Sequence, residues 1–164
     1  VSNKKQNAPI LVPVDFSPTS EDALVWAADM AACKVTPLII LHVVHDPGTS
    51  PGYYAVKGRK KQLQRIQDTA LDMLNDFHQE MIKKYPDLRM IKKAKLMLVV
   101  GIPVTRILEI VDKINPLMVC MGSQGRTGLG HMLLGSKAEQ VVRLCPVPVA
   151  IVKSPVEDED IEHD

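Results

Sequence analysis

The stretch "VCMGSQGRTGLGHMLLGSK", Val119–Lys137, passes from an apolar segment through five glycines in fourteen residues into a helical pattern. An apolar run that ends on a glycine and is followed by a helix is how a parallel strand hands its chain to a crossover. The same stretch reads either as a cradle for phosphates or as a ligand-free connection. What surrounds it decides which sheet it belongs to.

Working outward, four more runs share its apolar character: "ILVPVD" from Ile10, "PLIILHVV" from Pro37, "AKLMLVVG" from Ala94 and "VPVAIVK" from Val147. With "LMVCMG" from Leu117 they make five short, almost continuously apolar segments. Strands covered on both faces have this appearance. Between them lie helical stripes: Ala23, Leu24, Ala27, Ala28 and Ala31, then Leu63, Ile66, Ala70, Met73, Leu74, Phe77 and Met81. Val104, Ile107, Leu108, Val111 and Ile114 mark a third helix, and Ala138, Val141, Val142 and Cys145 a fourth. Ser17 before Pro18 reads as an N-cap and first helical position, with Glu21 and Asp22 near the positive end of the dipole. Pro103 opens the third helix in the same way. The order β-α-β-α-β-α-β-α-β predicts an α/β fold, an open five-stranded parallel sheet with helices on both faces.

The length of 164 residues suits one domain with a real core, read here as residues 8–153. The last eleven residues hold six acidic groups and no Lys or Arg, which leaves +7 on residues 1–153. Residues 154–164 read as an acidic, disordered tail. Much of the positive charge falls between Lys57 and Lys95. It reads as a solvated helix face and loop rather than a nucleic-acid surface, because aromatic residues for base stacking are scarce at 4%. Cys33, Cys120 and Cys145 lack a metal or redox spacing and read as reduced thiols. No apolar run reaches the ~18 residues of a membrane span. "VSNKKQNAP" has no apolar signal core, so a cytoplasmic protein that neither crosses a membrane nor binds nucleic acid is expected. The five histidines show no metal-ligand spacing. His42 reads as a hydrogen-bonded core residue, and no protein-only metal site is expected.

Ligands of open parallel sheets bind at the carboxyl ends of the strands, where strand order reverses. A dinucleotide fingerprint would need glycines after the first strand, where this chain has "DFSPTS". "GHMLLGSK" misses the Walker pattern by the order of Ser and Lys, and a phospho-receiver would need a carboxylate where the chain has "VVGIP". What survives is Gly122-x2-Gly125-x9-Gly135-Ser136. In this reading Gly122 leaves room for a ligand against the backbone and Gly125 turns successive amides inward as an anion nest. Gly135 and Ser136 place a helix N-terminus at the phosphate. Asp15 either contacts the ligand or caps the following helix.

These residues resemble the universal stress proteins in their nucleotide-binding branch. "ILVPVDFSPTSEDAL" resembles that family's opening strand and helix, "LIILHVV" its second strand, "VGIP" the end of its third, and "CPVPVAIVK" its closing strand. "MGSQGRTGLGHMLLGS" is similar to its G-2x-G-9x-G-S loop. The resemblance implies a Rossmann-like fold of the adenine nucleotide alpha hydrolase type, with ATP or AMP bound in stress response or signalling. It implies that Asp15 and Val43 contact the adenine or ribose end, with Pro13 near the sugar. Gly122, Gly125, Gly135 and Ser136 would line the phosphates, with Ser123, Gln124 and Arg126 adding contacts. As a carboxylate at a strand end, Asp15 suits either ribose hydroxyls or Mg²⁺ held beside the phosphates. It implies a homodimer through the closing strand, Val147 to Val152, whose early prolines suit a sheet edge. No catalytic residue is expected, because no general base or activated nucleophile accompanies the loop. A slow ATPase or autophosphorylating enzyme, and an interaction module with a structural glycine loop, stay open as alternatives.

Overall fold

The apolar runs become five strands. The computed structural model describes residues 8–46, 59–125 and 134–154, and within them lie β1 (Ile10–Pro13), α1 (Pro18–Lys34), β2 (Leu38–His45), α2 (Arg59–Lys84), α3 (Arg89–Lys92), β3 (Lys95–Gly101), α4 (Pro103–Ile114), β4 (Met118–Gly122), α5 (Ser136–Leu144) and β5 (Val149–Val152). All strand pairs are parallel and the sheet order is β3-β2-β1-β4-β5. The chain therefore steps outward from β1 to β3, then returns through α4 to the other side of β1. The expected parallel sheet with helices on both faces is what forms. Beyond Ser154 the acidic tail lies outside the described residues, and Ser154 itself donates to Asp22 Oδ2 at 2.6 Å.

The period of two in each strand divides the core. Ile10, Val12, Leu38, Ile40 and Cys120 face the layer made by α1, α2 and α3. Leu11, Ile39, Leu41, Val119 and Met121 face α4 and α5. Ala23, Ala27, Ala28 and Ala31 are all buried, so α1 presents a stripe of small side chains to the sheet. Cys120 donates its thiol to the Ala23 carbonyl at 3.3 Å. Burial pushes that thiol up to about 12, so it stays protonated and unreactive at neutral pH.

Three local expectations change. β5 begins at Val149 rather than Val147, because Pro146 and Pro148 have no N–H to give a ladder. On α2 the buried stripe is Ala70, Leu74, Phe77 and Met81, while Ile66 and Met73 fall on its flank and are exposed. His78 is buried instead, with Nε2 donating to the Ile91 carbonyl at 2.7 Å. That contact ties α2 to α3, a single turn too short to show a periodicity of its own.

The helix ends follow their sequences closely. Ser17 caps α1, its hydroxyl accepting from Ser20 N at 3.3 Å, with Pro18 in the first turn. Pro103 opens α4, which closes on Asn115 at φ 44°. α1 closes with a Schellman pattern, in which Val35 N bonds Ala32 O and Thr36 N bonds Ala31 O. Val35 holds this left-handed turn at φ 50° and is 83% exposed. A β-branched residue gains nothing there and crowds its own backbone. Val35→Gly is therefore expected to stabilise the fold by about 0.5–1 kcal/mol, raising the thermal midpoint by roughly 2–4 °C. An unchanged or lower midpoint in calorimetry would show that the turn carries no strain.

Candidate functional site

β1 lies between β2 and β4, and the chain leaves these neighbours on opposite faces of the sheet, so their carboxyl ends splay apart. A cavity of about 360 Å³ opens there. Pro13, Asp15, Val43, Gly122, Ser123, Gly125, Gly135 and Ser136 all line it. Arg126, the remaining expected site residue, lies outside the described residues, as do Gly128, Gly130 and the "HML" segment of the loop.

The first wall is the turn from β1 into α1. Asp15 Oδ1 accepts the Ser17 amide at 3.1 Å and the Ser17 hydroxyl at 2.5 Å. Ser17 in turn accepts from Ser20 N. Asp15 thus supports the helix cap, yet its carboxylate also faces the cavity, so its two candidate roles are compatible. Phe16 makes the turn at φ 65°, and its ring stacks on His42 with centroids 4.4 Å apart. His42 Nδ1 donates to the Val14 carbonyl at 2.8 Å. The histidine is hydrogen-bonded as its sequence position implies, but it is half-buried and belongs to the cavity wall rather than to the core.

The second wall is the glycine loop. Ser123 is 5% exposed and anchors both loop ends: its N–H donates to Val152 O at 2.8 Å, and its carbonyl accepts Gly135 N–H at 2.7 Å. Gly122 needs its bare Cα for a different reason than ligand access. A methyl group there would lie 2.7 Å from the carbonyl carbon and oxygen of Thr19, so the space is taken by the first turn of α1. At Gly125 a methyl group would meet Asp15 Oδ2 at 2.9 Å, which brings this glycine against the opposite wall.

α5 points its N-terminus into the cavity. Gly135 occupies the cap position and no side chain satisfies the first turn. Ser136, Lys137 and Ala138 follow on the cavity lining. Lys137 was not among the expected site residues. Its signal was its place directly after Gly-Ser, at the end of a helix that favours anions. Leu41, Pro103, Ile107 and Met121 supply an apolar floor that their strand and helix patterns did not distinguish from core. Among the described residues no group of three or more His, Cys, Asp or Glu side chains could hold a metal ion by itself. No helix among them is long and apolar enough to cross a membrane.

Known proteins share this fold. A universal stress protein of Methanocaldococcus jannaschii is 32% identical over 153 residues, covering 88% of this chain and 93% of that protein. Its structure aligns with TM-score 0.66 at 28% identity, covering 92% of this chain and 98% of the other. A universal stress protein of Mycobacterium tuberculosis is 30% identical over 94% of this chain, which spans only 50% of that longer protein. The universal stress protein of Archaeoglobus fulgidus solved in complex with dAMP shares the fold at 20% identity, with TM-score 0.53 and coverage of 89% and 98%. Residues 7–153 match the sequence profile of the Universal stress protein family, and the chain belongs to that family.

Proposed function

We propose that the protein binds an adenine nucleotide, ATP or AMP, in the cavity at the strand switch point and serves stress response or signalling without rapid turnover. The observation that carries this reading is the facing of two unlike walls across one cavity. On one side stand Pro13, Asp15 and Val43, on the other Gly125 and the N-terminus of α5, whose cap Gly135 has no side chain. The first wall offers a carboxylate and apolar surface to a nucleoside. The second offers amides, the helix dipole and the Ser136 hydroxyl to a phosphate. The apolar floor fits an aromatic base. The dAMP bound by the Archaeoglobus fulgidus protein supports a nucleoside phosphate in a fold of this kind.

The donor set also fits a phosphate-bound Mg²⁺, because Asp15 brings an oxygen ligand to the cavity and the nucleotide would bring the rest. When bound, the ion supplies charge neutralisation between phosphates. Asp15 Oδ1 already holds two Ser17 donors, which favours a ligand or metal contact over general-base work and supports slow chemistry or none. The same reading includes a cytoplasmic location, where three unpaired cysteines stay reduced. It also includes a homodimer through β5, a half-buried sheet edge flanked by exposed Val142 and Leu144.

Calorimetry with the purified protein is expected to give saturable ATP or AMP binding. Gly135→Val crowds Ser123 O, Gln124 and Gly125 N, all within 3.9 Å of its first carbon, and is expected to lose at least ~10-fold in affinity while staying folded. Bound nucleotide recovered intact after incubation supports a binding protein; release of labelled phosphate, abolished by Asp15→Ala, would establish the enzyme instead. Absence of any nucleotide binding at millimolar concentration would sink the proposal. Lys137→Met is expected to weaken ATP by roughly 2- to 5-fold and AMP by less, since an exposed ammonium gains with phosphate charge. Equal effects on both nucleotides would place Lys137 outside the phosphate path. Sedimentation equilibrium is expected to return twice the chain mass, and a monomer at all concentrations would exclude the β5 dimer.

A further inference from the structure

We infer that Thr19, on the first turn of α1, is a positioning residue for the phosphate site: its hydroxyl fixes the Gln124–Gly125 peptide plane and so aims the Gly125 N–H. The inference rests on the nucleotide reading of the cavity and goes beyond it by assigning a residue that does not line the cavity.

Thr19 Oγ1 donates to the Gln124 carbonyl. It also lies 3.2 Å from Ser17 Oγ, but each hydroxyl has a single proton to give. The Ser17 proton goes to the Asp15 carboxylate at 2.5 Å, the stronger, charge-assisted acceptor. A carbonyl oxygen has no proton to offer, so the Thr19 proton must be the one in the Gln124 bond. The approach of the two hydroxyl oxygens is then a contact, and Thr19 is committed to the glycine loop.

The consequence follows from the peptide unit. Residue 124's C=O and residue 125's N–H belong to one rigid plane and point in opposite directions in the trans form. Holding the carbonyl on α1 turns the Gly125 N–H away from α1. The Gly125 nitrogen lies 3.9 Å from the point where a Gly135 side chain would begin, on the side of the α5 N-terminus. Without the hydroxyl, a glycine at 125 gives this plane unusual freedom to rotate. The clamp is itself rigid, because Gly122 packs directly on the Thr19 backbone and Pro18 sets the turn.

The test compares Thr19→Val and Thr19→Ala, which remove the donor, with Thr19→Ser, which keeps it. Calorimetry measures AMP against adenosine, and a ¹⁵N spectrum of the ligand-free protein follows the Gly125 amide. In both donor-free variants AMP is expected to weaken by roughly 5- to 10-fold while adenosine stays within about 2-fold. The Gly125 amide signal is expected to move in them, and Thr19→Ser is expected to retain wild-type values throughout. Equal losses for AMP and adenosine would mean a general structural role and would overturn the inference, as would no loss. If the wild-type protein binds neither compound, the nucleotide reading fails with the phosphate role, and the Gly125 amide still decides the clamp: movement upholds the positioning and an unmoved signal refutes it.

Discussion

β1 is hydrogen-bonded on one side to β2 and on the other to β4, and Ile10, Leu11 and Val12 are fully buried between the two helical layers. A strand so enclosed cannot lie at an edge, so the chain must place later strands on both of its flanks. The outward run to β3 and the return to β4 are consequences of that constraint, with handed crossovers putting α1 through α3 on one face and α4 with α5 on the other. Where the two directions part, backbone cannot fill the gap. The cavity exists because β1 is central, and its floor combines Leu41 of β2 and Met121 of β4 with Pro103 and Ile107 of α4.

Much of this arrangement is legible in the chain because it is local. Apolar runs of five to eight residues, helical stripes at three and four, and Ser17-Pro18 each state their structure without reference to the rest of the molecule. The switch-point location of Asp15 and the glycine loop follows from element order alone. What escaped depends on neighbours. Ile66 and Met73 fit a helical stripe as well as Leu74 does, yet they are exposed once α2 is packed while Leu74 is buried. Gly122 looks like an opening for ligand, whereas the Thr19 backbone fills the space beside it. Thr19 carries no motif, since its contact with Gln124 joins residues more than a hundred positions apart in the chain.

The two helix N-termini beside the cavity show one physical problem met in opposite ways. Both α1 and α5 begin with amides that no earlier carbonyl can satisfy. α1 solves this internally, through Ser17, and Asp15 reinforces the solution. α5 has glycine at the cap and leaves its first turn without a side-chain acceptor. A capping side chain at 135 would stabilise α5 by only about 0.3 kcal/mol, since glycine is itself a tolerated cap, and it would crowd Ser123 O at 3.3 Å. The glycine cap leaves the first turn of α5 on the cavity lining with no side-chain cap.

Availability alone would not make a site, because amides on a glycine-rich loop average their directions. Ser123 removes that freedom at the base of the loop. Its amide is bound to β5 and its carbonyl to Gly135, so the two ends of the loop are tied to each other and to the sheet at Ser123. The single hydrogen bond from Ser123 to Val152 also means that the position of the glycine-loop wall depends on β5, one of the two edge strands of the sheet. A short edge strand is ordinarily the least protected part of such a fold. Here it is held by β4 along Val119–Val149 to Gly122–Val152 and by Ser154 on α1, so the strand on which the loop hangs is secured at the end where the cavity opens.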